Sequence, residues 1–158
     1  MYTFFQYNWQ VRDEWFTWCE QLTKEELLKE RIGGHHNILH TLLHIIDVEY
    51  SWVRAMQQKE DIPLDFSSYG EVHQVRELSH QRRDEIKGFL QSDEAISHER
   101  VTAPWMEGSF TRNEILHHII AHEIHHIGQL SIWARELNLK PVSANVIFRG
   151  LFKEERAT

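Results

Sequence analysis

The chain has 158 residues, 41% of them hydrophobic and 26% charged, which is the size and make-up of one globular domain. A formal net charge of −7 speaks against a nucleic-acid backbone as the main partner, because phosphate binding needs a basic face. A single cysteine, Cys19, excludes an internal disulfide and any cysteine-rich zinc site, and no apolar run is long enough to cross a bilayer.

Met1 to Trp9 lacks the basic start and small-residue cleavage site of a secretory signal. The expected setting is therefore cytoplasmic, with neither membrane nor nucleic acid as partner. Twelve histidines and six tryptophans are unusual. The histidines are scattered through helical patterns and are densest from His117 to His126.

The first segment, Tyr2 to about Leu22, carries Phe4, Tyr7, Val11, Trp15, Trp18 and Leu22 at steps of three and four, a helical signal. Phe5, Trp9, Phe16 and Cys19 widen the stripe. So broad a face predicts contact on two sides, either deep in a bundle or at a homodimer interface. Cys19 lies on that face and reads as a small buried hydrophobe. Thr23 heads a second helical start as an N-cap, which Gly33-Gly34 ends.

A helix from near Asn37 to Gln57 follows. Ile38, Leu42, Ile45, Glu49 and Trp52 form one row, and Leu39, Leu43, Ile46, Tyr50 and Val53 the next. Beside them His40, His44, Asp47 and Ser51 make a narrow polar seam, costly on a buried helix unless its members find partners. Metal ligation would satisfy His44, and so would a hydrogen bond in the core.

Residues 58–70 read as a loop whose Ile62, Leu64 and Phe66 pack over the bundle. A third long helix spans Glu71 to Leu90, with Val72, Val75, Leu78, Ile86 and Phe89 inward and Arg82, Arg83, Asp84 and Glu85 as a solvated face. Between Gln91 and Phe110, Arg100–Thr102 and Gly108–Phe110 pair as a short hairpin around Pro104 to Glu107. The longest helix opens at Thr111, where Thr111 and Glu114 form a capping box and Phe110 with Ile115 a hydrophobic staple. Asn138 and Pro141 close it. The tail from Val142 to Thr158 is apolar enough to dock. Four long helices with two long connections predict an all-α, four-helix bundle forming one domain over residues 1–158.

His122 and His126 lie one turn apart on the last helix, about 6 Å along its axis, and project from nearly one face. Two imidazoles so placed can close on one zinc, nickel, iron or copper ion. Read literally, His122-Glu123-Ile124-His125-His126 is H-E-x-x-H, the zinc-protease signature with the glutamate as general base. Its metzincin extension would need glycine at 129 and histidine at 132, where this chain has Gln129 and Ile132. No histidine follows His126. Glu136 lies too far along the same helix, and Glu154 and Glu155 sit in the tail. The alternative third ligand lies upstream, with His44 as the natural donor.

Four blocks stand out: Tyr7-Asn8-Trp9, Leu43 to Trp52, Phe110 to Leu116 and, most specific of them, the run from His118 to Leu130 with its H-x-x-H-H-x-G-Q-like core. In these blocks the chain resembles the DinB/YfiT-like metalloenzyme family. The resemblance implies a four-helix bundle, often dimeric, with a divalent metal on His44, His122 and His126. Ile127, where many members have arginine, is a departure that removes no ligand. Some relatives are S-transferases or isomerases that use low-molecular-weight thiols such as bacillithiol or mycothiol, and others resemble hydrolases.

The function expected on that footing is a three-histidine site for zinc or nickel, open to a small molecule, with a low-molecular-weight thiol as co-substrate. Glu123, or Glu49, is the expected base. A metal-dependent hydrolase and a non-enzymatic stress-response bundle with a structural metal are the alternatives. His118 and His40 can ligate or support from nearby, His125 packs or hydrogen-bonds, and Gln129 hydrogen-bonds near the site. His35, His36, His73, His80, His98 and His117 read as surface or capping residues.

Overall fold

A computed structural model describes residues 1–152. Its helices are α1 (Tyr2–Cys19), a short α2 (Lys24–Leu28), α3 (Ile38–Met56), α4 (Val72–Leu90) and α5 (Arg112–Glu136), with a hairpin of β1 (Val101–Ala103) and β2 (Met106–Phe110). The long helices pack α3 on α4 and α5, and α1 on α4 and α5, which closes the four-helix bundle. Among the described residues no helix is long and apolar enough to cross a membrane.

The helix starts follow from their caps. Thr23 Oγ1 accepts from the Glu26 backbone N–H at 3.2 Å, and Asn37 Oδ1 accepts from that of His40 at 2.7 Å. At α5 the Thr111 hydroxyl accepts from the Glu114 N–H while the Glu114 carboxylate accepts from the Thr111 N–H, the expected capping box. The end of α5 is set by Asn138, which takes a left-handed φ of 57°.

Two boundaries and one buried charge differ from the sequence expectation. α1 stops at Cys19, and a turn carries Leu22 back onto the core. The hairpin pairs Val101 with Phe110 and Ala103 with Met106, so the bend is Pro104-Trp105 and Met106 and Glu107 belong to a strand. Arg82, expected in solvent, is buried: its guanidinium lies 4.2 Å over the Tyr50 ring and 3.6 Å from Asp47. Face-on stacking against an aromatic ring is what lets an arginine leave water there.

Contacts inside the chain cover much of the breadth of α1. Phe5, Trp9, Trp15, Phe16 and Cys19 are all buried against neighbouring elements. The segment after α5 also helps: the Tyr7 hydroxyl donates to the Ala144 carbonyl at 2.6 Å and the Trp18 indole N–H to that of Lys140 at 2.9 Å. Val142, Val146 and Leu151 pack on the core, while Ile147, Phe148 and Phe152 point outward. Glu154 and Glu155 lie outside the described residues.

The core comes in two apolar bodies. One gathers residues 38–46 of α3 and 127–134 of α5 around Trp15 and Phe16, and the other gathers residues 50–56 and 115–119 around Phe5 and Trp9. Between them, Glu49 of α3 and Glu123 of α5 meet Arg12 of α1.

Candidate metal centre

The polar seam of α3 and the histidine-rich face of α5 meet at the edge of the core. His122 Nε2 lies 3.1 Å from His44 Nε2 and 3.1 Å from His126 Nε2. One nitrogen from each of the three rings falls within 4.8 Å of the others. Two imidazole nitrogens on one tetrahedral zinc stand roughly 3.3 Å apart, so this spacing matches a shared cation. His126 is buried, whereas His44 and His122 are partly exposed and leave a way in.

The protonation pattern points the same way. The Gln129 Oε1 accepts from His126 Nδ1 at 2.6 Å, which puts the ring hydrogen on Nδ1 and leaves Nε2 as a lone pair aimed at the cluster. The one hydrogen that a neutral His122 can carry on Nε2 cannot serve both neighbours at once. A cation that takes all three lone pairs removes that conflict, so the donor set fits a metal ion.

Burial keeps these rings neutral. It pulls His44 down to about 4, with His126 and His35 nearby adding to the effect. Burial likewise pulls His122 down to about 3, helped by His126 and His44. His126 is lowered by burial too, against an upward pull from Gln129. Between the ordinary value of 6.5 and these depressed values the unfolded chain binds more protons than the folded one. Acidification through that window therefore lowers the stability of the metal-free protein. Metal affinity should therefore depend less on pH than at a solvent-exposed histidine site. Titration with a zinc-competing dye should give an affinity nearly flat from about pH 8 to about pH 6, because few ligand protons are left to displace. A tenfold fall per pH unit across that range would contradict the neutral-ring assignment.

Other histidines take separate places. His118 is not in the donor group; its ring is 5.8 Å from that of His122 and 5.8 Å from that of Trp52. His125 reaches the centre through Gln129, whose Nε2 is 3.3 Å from His125 Nε2. His40 sits edge-on to Phe66 at 5.6 Å.

His35, expected at the surface, stacks on His44 with ring centroids 4.8 Å apart and planes 15° off parallel, and Phe66 packs on its side at 4.7 Å. The signal for this was Gly33-Gly34. Both have positive φ and turn the chain back over α3. Gly34 sits so close to Trp133 and Thr41 that an added Cβ would meet them at 2.5 and 2.8 Å.

Glu123 is the main correction. It is 1% exposed, and its carboxylate is gripped by Arg12 from Nε at 2.8 Å and Nη2 at 2.6 Å. Glu49, 2% exposed, accepts from Arg12 Nη1 and from the Trp9 indole N–H, both at 2.9 Å. On α5, Glu123 is about 100° around the axis from His122, so it faces α1 and not the cluster. A base must reach its substrate, and the geometry gives both carboxylates a structural partner instead.

The family profile described as DinB family matches residues 1–155. The chain belongs to the DinB family. A protein of Bacillus subtilis (strain 168) called "Uncharacterized protein YizA" is 63% identical over 153 residues, covering 96% of each chain. This DinB-family chain thus combines a helical bundle with a three-histidine group that could hold a metal ion.

Proposed function

We propose that this DinB-family chain holds zinc or nickel on Nε2 of His44, His122 and His126 and catalyses transfer of a low-molecular-weight thiol to a small electrophile. The observation that carries this is the convergence of three neutral imidazoles from two helices, with two of the rings partly open to solvent. A divalent ion bound by three histidines supplies Lewis acidity and lowers the pKa of a thiol or water that reaches its open position.

The chain's own residues set the rest. Gln129 fixes the tautomer and tilt of His126, and His35 with Phe66 covers one flank of His44. Thiol transfer is favoured over hydrolysis because Glu123 and Glu49, the carboxylates expected to act as base, are committed to Arg12. A thiol once ionised is a strong nucleophile and asks less of a neighbouring base than water does.

Cobalt(II) in the site gives a direct test. Adding 2-mercaptoethanol to the cobalt-loaded protein should produce a sulfur-to-cobalt charge-transfer band in the near ultraviolet that saturates. A cobalt spectrum indifferent to thiol, in protein shown to bind one cobalt per chain, would sink the thiol reading and favour a hydrolytic or structural site.

A further inference from the structure

Next to the histidine cluster is a small cavity of about 180 Å³ lined by Trp52, Met106, Phe110, Glu114, Ile115 and His118. Its wall is almost entirely carbon. Trp52 from α3 forms the back, with the Phe110 ring edge-on at 5.9 Å, and Met106 of the hairpin stands at the mouth, 46% exposed. His118 belongs to both places, since it lines the cavity and its ring centroid lies 5.8 Å from that of Trp52 and 5.8 Å from that of His122. The cavity is therefore one imidazole's width from the donor group.

We propose that this cavity is the substrate-specificity pocket of the site, and that it takes the apolar tail, a single aromatic ring or short alkyl chain, of a small molecule whose sulfur reaches the three-histidine centre. The inference rests on the thiol reading above and adds to it the class of molecule. Size supports it, because an apolar cavity of about 150 Å³ in another protein admits benzene. Chemistry supports it as well: ligand pockets pair a mostly apolar wall with a few polar groups that fix orientation. Here the aromatic wall and the imidazole cluster supply those two parts. The hairpin gains a purpose, for it brings Met106 and Phe110 to the side of α5 that carries His118.

The test compares two thiols on the full cobalt-loaded chain, benzyl mercaptan and 2-mercaptoethanol, by the half-saturation of the charge-transfer band. Benzyl mercaptan is expected to bind about tenfold more tightly or better, since only it buries a ring. Met106→Ser should cut that advantage to about threefold or less. Met106→Trp, which fills the mouth, should abolish the advantage while leaving 2-mercaptoethanol unchanged. Met106 is on the exposed hairpin, and a thermal melt matching the parent's shows that each variant is folded. Equal binding of both thiols to the parent overturns the pocket and leaves the thiol reading standing. A preference that survives in Met106→Trp also overturns the pocket. No band with either thiol overturns both proposals.

Discussion

Replacing Arg12 with methionine is expected to destabilise the metal-free protein by about 3–5 kcal/mol, the cost of leaving buried carboxylates without their cation. Arg12 is completely buried and spends its guanidinium on Glu123, Glu49 and the Ser79 hydroxyl. Burial works against its charge, but Glu123 and Glu49 outweigh that and hold its pKa above the ordinary value. Two carboxylates share one guanidinium, and burial first of all, with repulsion from Glu49 added, raises the pKa of Glu123 against the pull of Arg12. For a chain this size the loss should lower the melting temperature by roughly 6–20 °C. Adding Glu49→Gln and Glu123→Gln to Arg12→Met should recover much of the loss, because the penalty lies in unpaired charge and not in lost attraction. Urea unfolding of the three proteins decides it: a single variant as stable as the parent would mean that the network contributes nothing.

The second large effect is on metal binding. His122 is the hub of the cluster, within 3.1 Å of both other rings. His122→Ala should weaken zinc affinity by more than about a hundredfold, since even loss of an orienting partner outside the ligands costs 10–100-fold. Gln129→Leu removes such a partner from His126 and belongs in that milder range. His118→Ala and His125→Ala should leave affinity within about threefold, as neither belongs to the donor group. Competition titrations with a chelating dye on untagged protein read all four. Zinc affinity lost in His118→Ala but kept in His122→Ala would overturn the ligand set.

Much of this was legible in the sequence because it is local. Caps, apolar steps of three and four, and a histidine pair one turn apart are all set within one helix, and α3, α4 and α5 follow them closely. What escaped depends on which residue lies across from which. Within H-E-x-x-H the glutamate looks like a base, yet its role is fixed by Arg12, more than a hundred residues away in sequence. Two hints were present. Glu49 stands in an otherwise apolar row of α3, and Arg12 lies inside the aromatic stripe of α1. A charge among buried neighbours asks for an opposite charge, and pairing these two would have drawn Glu123 into the core. Arg82 escaped for a similar reason, since a run of charges says nothing of the tyrosine ring that one of them stacks on. His35 needed the backbone turn at Gly33-Gly34 to be seen over α3.

Cys19, the chain's sole sulfhydryl, is completely buried in the core, and burial pushes its pKa up to about 12. At neutral pH it is neither ionised nor reachable, so it stays out of thiol–disulfide exchange. An exposed, ionised cysteine would instead be open to capture by small thiols as a mixed disulfide whenever the surroundings turned oxidising. Here the chain offers no accessible thiol of its own for such an exchange.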